Sequence, residues 1–483
     1  MAGLAHRAAL VSFARLCNQA IGLFSPIILV RLLPVSDFGA YRSFFLYFNV
    51  VSVMALSAAN WSLLYFIPRQ PAATWRIVRT CARIVAISSL IAAAAIYAVD
   101  YVSGGHVIGE RIDAVLIYMV LFVNLDFWEH LALARKRPLA VLGYTVGRLV
   151  ARMTAVITTA ALTHDVDRII LALICVEAVR LVVSGVVWRR MASKKEDVSA
   201  EAPPVREILA QCLPLALSVL VNVVNQQSGG IIVDRLIGEV GLAYLTVGTY
   251  VSFVVSSVRN SISDVLLPEM SGAGSLASES ALNLWRRSTV VFAILLLPVA
   301  LVLGCFAAPV IGAVFSEHYL PAVPIFQVYL LMLVRECFDF DLALRAAGQT
   351  SKALSAHVLT LVLNLSMAIV LVHFLGVIGA AIAAVTARTL SGIYLAHKVA
   401  AIVGVAVRAV FPWGDLSRVM LSAGLAGLAL LPAVAYPHYG WAGIISSTAV
   451  FAVAFALLLR LFDVAEIRRI YAVIGRRLGL QHP

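Results

Sequence analysis

The chain has 483 residues, of which 62% are hydrophobic and only 13% charged, and its mean hydropathy is +0.96. Too little polar surface remains to wrap a water-facing globule of this size, so a soluble domain is excluded and a polytopic membrane protein is left. The net charge of +12 collects mostly in loops on one side, where it orients the chain and gives no reason to expect nucleic acid as a partner.

Apolar windows long enough to cross a hydrocarbon core of about 30 Å fall near residues 8–30, 43–67, 78–99, 114–133, 139–162, 169–187, 208–233, 242–267, 288–315, 324–345, 354–373, 378–396, 416–434 and 441–462. The expected fold is therefore all-α, with about 14 transmembrane helices. The first apolar run is too long for a signal-peptide core and contains Arg15, so it reads as a span. Arg15, Asn18, Gln19 and Gly22 follow helical spacing and form one polar stripe on that span. Asn and Gln at such positions serve either as hydrogen-bonding glue between helices or as the lining of a wet cavity, whereas a guanidinium at this depth requires an anion.

Span four carries Asp126 and Glu129, and span five carries Arg148 and Arg152 one turn apart. Asp126 and Arg148 each lie eleven residues from the turn at Arg137, so they should sit at similar depth. Two readings are open for this group: an internal ion pair, or a cationic pocket visited by a polyanion. An ion pair still leaves Arg152 over. Span six pairs Glu177 with Arg180 at i, i+3. A polar stretch containing SKKEDVSAEAPP then fills residues 188–207 and reads as a linker between bundles.

Span seven repeats the polar stripe of span one with Asn222, Asn225, Gln226 and Gly229, which points to an internal duplication. Span eight places Ser252, Ser256, Arg259 and Ser263 on one face, with Asn260 and Asp264 beside it. In span ten the spacing predicts in-helix pairs Arg335 with Asp339 and Asp341 with Arg345. His357, Thr360 and Asn364 share a face of span eleven, and Arg388 lies in span twelve. The expected organisation is an N-terminal bundle over 1–187, the linker 188–207, a second bundle over 208–400, two extra spans over 416–462 and a basic tail over 463–483.

Lys and Arg in alternate loops number twenty on one side and four on the other (Arg31, Arg111, Arg168 and Arg235), which predicts an even number of spans with both termini cytoplasmic. The six cysteines show no metal-binding or redox spacing and read as small core residues. No GxxxxGK[ST], HExxH or GxSxG occurs. No cofactor or metal is therefore expected, and the external loops are too short for a catalytic face.

The segment ARLCNQAIGLFSPIILVRLLPVSDFGAYR resembles the opening of Wzx-type polysaccharide-biosynthesis flippases, in the MOP superfamily that also contains lipid II flippases and MATE exporters. The resemblance implies a carrier that moves a polyprenyl-pyrophosphate-linked oligosaccharide from the cytoplasmic to the outer leaflet of a bacterial inner membrane by alternating access. The product would be a surface polysaccharide such as O-antigen, capsule or exopolysaccharide. It implies cationic lumen residues in spans one and eight, to which Arg15 and Arg259 correspond. Membrane lipids, a proton or sodium counter-ion and polysaccharide polymerase machinery are the implied partners. With the residues above, the substrate-binding set is Arg15, Asn18, Gln19, Arg148, Arg152, Asn225 and Arg259, and Asp126, Glu129 and Asp264 are ion-coupling or ion-pair candidates. A MATE-like efflux antiporter predicts unpaired acids in place of arginines, and a glycan polymerase or ligase predicts a large external loop.

Overall fold

A computed structural model describes residues 24–105, 108–192, 203–272, 279–436, 440–464 and 467. Among the described residues the regular structure is entirely helical. The helices are α1 (24–32), α2 (Val35–Met54), α3 (Ser62–Arg69), α4 (Thr74–Val102), α5 (Ile112–Leu125), α6 (Phe127–Ala134), α7 (Pro138–Thr163), α8 (Val166–Ala192), α9 (Val205–Leu236) and α10 (Glu239–Gly272). They continue with α11 (Glu279–Cys305), α12 (Ala307–Val314), α13 (Val323–Glu336), α14 (Phe340–Ala346), α15 (Thr350–Leu375), α16 (Val377–Val403), α17 (Val407–Val410), α18 (Trp413–Gly427), α19 (Leu431–Ala435) and α20 (Gly440–Leu461).

Among the described residues eleven helical segments are long and apolar enough to cross a membrane, and a bent pair makes a twelfth span. That pair, α2 with the helical segment Ser57–Arg69, turns through 64°. The turn has a local cause: Leu56 adopts a left-handed conformation with φ of 47°, and the carbonyl of Ala55 accepts from Ser88 Oγ at 2.7 Å. Of the two remaining expected windows, residues 8–30 lie mostly outside the described residues. In the other, 114–133, the helix breaks at Asp126 into α5 and α6. Nearby side chains serve the backbone around this break, with Tyr144 Oη donating to Leu125 O at 2.6 Å. Such replacement partners are what the apolar phase requires wherever a helix is interrupted.

The chain divides into two compact units, residues 1–243 and 244–483. The first unit includes α9, which the sequence places in the second bundle. Two features tie α9 to α2. Ser43 Oγ and Tyr47 Oη donate to Asp234 Oδ2 at 3.0 and 2.8 Å, and Gly230 lets the helices approach until a Cβ there would lie 2.5 Å from Leu46 Cδ1. Small residues at such contacts substitute for the hydrophobic drive that lipid removes. The core of this unit is aromatic, with Phe44, Phe45, Phe48, Tyr118 and Phe122 in mutual edge or tilted contact.

The second unit is anchored on Trp285, which is fully buried and stacks on Phe340. Span ten is interrupted here: α13 ends at Glu336 and α14 begins at Phe340. Asp339 caps α14, accepting from the Leu342 N–H at 3.0 Å, while its own carbonyl accepts from Trp285 Nε1 at 2.9 Å.

Candidate functional site

In the first unit the ionisable residues of α5 to α8 converge. Arg148 Nη1 lies 3.1 Å from Asp126 Oδ1, and its Nη2 lies 3.5 Å from Glu129 Oε2. His130 Nδ1 stands 3.8 Å from Asp126 Oδ2 on the other side. Arg180 pairs with Glu177 and donates through Nε and Nη2 to Tyr144 Oη at 3.0 and 2.7 Å. The expected Asp126–Arg148 and Glu177–Arg180 pairs are both present. The break at Asp126 also frees the start of α6 to bring Glu129 to the same guanidinium.

Arg152 differs from its neighbours. Its guanidinium lies 4.6 Å from the centre of the Phe45 ring, and Tyr118, Tyr41 and Glu177 are its other polar neighbours. Among the described residues no carboxylate pairs with it directly, and its Nε is buried without a hydrogen-bond acceptor. The ring face supplies part of the compensation that a carboxylate would give. Tyr41 hydrogen-bonds the side chain as well, which leaves the buried Nε as an unspent donor.

The second unit holds a corresponding cluster. Arg259 is only 8% exposed, and its Nε sits 2.8 Å from Glu336 Oε2, with Nη1 3.6 Å from Asp339 Oδ1. Arg335 and Arg388 approach Glu336 Oε1 at 3.9 and 3.8 Å. Ser263 Oγ donates to Asp339, and Asp341 faces His357 Nε2 at 3.5 Å. Two expectations are corrected here. Asp339 pairs with Arg259, not with Arg335, because the interruption at residues 337–339 breaks the helical register that pair requires. Asp341 shares α14 with Arg345 but pairs with His357 of α15, while Arg345 stays exposed. Arg259 is thereby held by two carboxylates, one of which it shares with Arg335 and Arg388. Of the two readings open for Arg148, the ion pair is the one present.

The other expected residues fall as follows. Asn225 is buried in α9, with Ser228 Oγ donating to its carbonyl at 3.1 Å. Gln226 Nε2 donates to Asn222 Oδ1 at 3.3 Å, so those two satisfy each other along the helix. Arg15, Asn18, Gln19 and the side chain of Asp264 lie outside the described residues.

Sequence reasoning missed the aromatic floor under Arg152 and the role of Glu336, which gathers three arginines. It also missed a polar cavity of about 330 Å³ in the first unit, lined by Ser43, Tyr47, Arg111, Asp234, Arg235 and Glu239 among others. Arg111 bridges Asp167 at 2.8 Å and Glu239 at 2.6 Å there. The only trace in the sequence was the row of charges at the ends of predicted spans, which gives no pairing.

With this geometry in hand, the family profile described as "Polysaccharide biosynthesis protein" matches residues 28–324. The chain belongs to the polysaccharide biosynthesis protein family. No curated protein matches the chain as a sequence relative. Solved structures do match in fold. One described as "Lipid II flippase MurJ, inward closed conformation" aligns with a TM-score of 0.69 at 13% identity, over 94% of this chain and 98% of the other. An inward-facing multidrug resistance MATE family transporter of the MOP superfamily aligns with a TM-score of 0.60 at 16% identity, over 80% of this chain and 95% of the other. This member of the polysaccharide biosynthesis family thus has the all-helical fold shared by those two transporters.

Proposed function

We propose that the protein is a carrier, not an enzyme, that moves a polyprenyl-diphosphate-linked oligosaccharide across the inner membrane from the cytoplasmic leaflet to the outer one. Support comes from the polysaccharide biosynthesis family, from a fold resembling that of a lipid II flippase, and from charge. A diphosphate cannot cross hydrocarbon bare, since isolated ions cost tens of kcal/mol there on Born reasoning. It needs a guanidinium that is not already saturated by a carboxylate.

The observation that carries the reading is Arg152, held over Phe45 with its Nε free of any acceptor among the described residues. Arg148, one turn away, stays paired with Asp126 and Glu129 until a diphosphate competes for it. The MATE-like reading is less well supported, because Asp126, Glu129, Glu177, Glu336 and Asp339 are already matched to arginines. For the same reason Asp126 and Glu129 couple a proton or sodium gradient only if transport first breaks their pairing.

The test is transport of a fluorescent polyprenyl-diphosphate glycan in proteoliposomes. Loss of a charged hydrogen-bonding partner costs about 1.5–3 kcal/mol, or roughly 10- to 150-fold. Arg152→Ala is expected to lose transport on that scale, and Arg152→Lys to recover only part because it lacks the bidentate fork. Transport at the normal rate by Arg152→Ala removes the proposed site.

A further inference from the structure

Among the described residues helix α4 keeps one face uncovered from Arg83 to Tyr101. Its buried positions, including Ile77, Val78, Cys81, Val85, Ser89 and Ile96, lie together on one side. On the other side Arg83, Ile87, Leu90, Ala94, Tyr97 and Tyr101 follow at alternating steps of four and three, and all six are exposed. Arg76 and Arg79 extend the same row toward the start of the helix. No Asp or Glu occurs in α4 before Asp100, which is buried. Arg76 and Arg79 also interact within the protein, so the row is anchored.

The spacing along this row matches a bilayer. Ile87 and Leu90 are 60% and 59% exposed, and no other helix among the described residues covers them, so acyl chains are their natural neighbours. Arg83 and Tyr101 are eighteen residues apart, which is about 27 Å of helix, close to the roughly 30 Å hydrocarbon thickness. With Tyr101 in the aromatic belt of one interface, Arg83 stands at the other. Arg79 and Arg76 then project about 6 and 10 Å further along the helix axis, through the headgroup layer. The loop asymmetry assigns that end to the cytoplasmic side.

We propose that Arg76, Arg79 and Arg83 form a binding surface for anionic phospholipid headgroups of that leaflet, with the acyl chains lying along Ile87 and Leu90. Guanidinium groups meet phosphate bidentately, and three of them at successive depths follow a headgroup down to its glycerol. A soluble protein partner fits less well, because Arg83 sits at the edge of the hydrocarbon and the row runs without interruption into apolar side chains. The surface is separate from Arg152, which projects from α7, and it stands whether or not the carrier reading does.

The experiment is electron paramagnetic resonance of the full-length protein in phosphatidylcholine bilayers, comparing spin-labelled phosphatidylglycerol with spin-labelled phosphatidylcholine in the motionally restricted shell. The natural protein should favour phosphatidylglycerol, and the preference should fall as salt rises. Removing all three charges, R76Q/R79Q/R83Q, should lower the preference at least about fivefold. Arg83→Gln alone, which preserves the anchored part of the row, should lower it partly, and Arg83→Lys should restore most of that loss. No preference in the natural protein, or an unchanged preference in both the triple variant and Arg83→Gln, overturns the proposal. If the triple variant does not insert, the two Arg83 variants decide alone.

Discussion

Arg148 and Asp126 stand eleven residues on either side of Arg137 in the chain, and their side chains meet at 3.1 Å. Equal counts from a turn give equal depth because antiparallel helices rise by the same amount per residue. The relation survives the helix break at Asp126 because the break lies within a turn of the pair. On the proposed function it also decides which arginine of the first unit is left for a diphosphate. Arg148 is occupied by its two acids, and the capacity left over belongs to Arg152.

If Asp126 and Arg148 act as a pair, exchanging them should restore what either change alone removes. Asp126→Arg leaves two guanidiniums facing each other, and Arg148→Asp leaves three carboxylates together, so each single variant should lose transport about tenfold or more. The double variant should recover most of it, though incompletely, because Glu129 contacts Arg148 at 3.5 Å and would then face an aspartate. Transport in reconstituted vesicles measures this. A double variant no better than the singles shows that the two residues do not act as a simple pair.

Arg152 and Arg259 should separate stability from function. Arg259→Met takes the guanidinium from Asp339, 2% exposed, and the nearest of three from Glu336, 5% exposed, and breaking a buried pair in this way costs about 3–5 kcal/mol. Its detergent-solubilised Tm and its abundance in the membrane should both fall. Arg152→Met removes a cation that has no direct carboxylate partner among the described residues, so its Tm should hold or rise while transport is lost. Thermal unfolding of the two variants side by side checks the contrast, and equal destabilisation would show that Arg152 is held by the fold as tightly as Arg259.

What could be read in the sequence was whatever depends on local repetition. Hydropathy located the spans, and i, i+3 spacing found Glu177 with Arg180. Helical counting failed where the helix itself stopped. Residues 337–339 interrupt span ten, so Asp339 turns to Arg259, far away in the chain. Asp341, though it shares α14 with Arg345, turns to His357 on α15, a contact between helices that spacing along one helix does not show. The Phe45 ring beneath Arg152 was invisible for a different reason. An apolar run has no periodicity that distinguishes a phenylalanine facing lipid from one facing a guanidinium.

Arg111 joins Asp167 and Glu239 at 2.8 and 2.6 Å. Burial alone would favour its neutral form, but the hydrogen bonds and charges of Asp167 and Glu239 outweigh that and raise its pKa above the ordinary arginine value. A raised pKa contributes stability that is complete below the unfolded value and lost only as the pH climbs through the folded one, which here lies in strong alkali. Deprotonation of Arg111 should therefore play no part between pH 6 and 9. Because Asp167 is 70% exposed, solvent screening limits the junction to about 1 kcal/mol or less. Arg111→Gln should lower Tm slightly and by the same amount across that window. A difference that grows steadily toward pH 9 would contradict this account.

Gly39 marks where the start of α2 presses on the start of α10. A Cβ there would lie 2.0 Å from the Glu239 carbonyl oxygen and 2.5 Å from its carbon. Backbone cannot rotate aside as a side chain does, so α2 or the first turn of α10 must shift. Overpacking of this kind costs about 1–3 kcal/mol, and the shift also disturbs the neighbouring Arg111–Glu239 contact. Gly143, in α7, meets nothing within 4 Å; alanine there removes a flexible helical residue and should stabilise by roughly 0.5–1 kcal/mol. The same chemical change should thus lower Tm at Gly39 and hold or raise it at Gly143. If Gly39→Ala unfolds at or above the natural protein's temperature, α2 and α10 are not in backbone contact at this position.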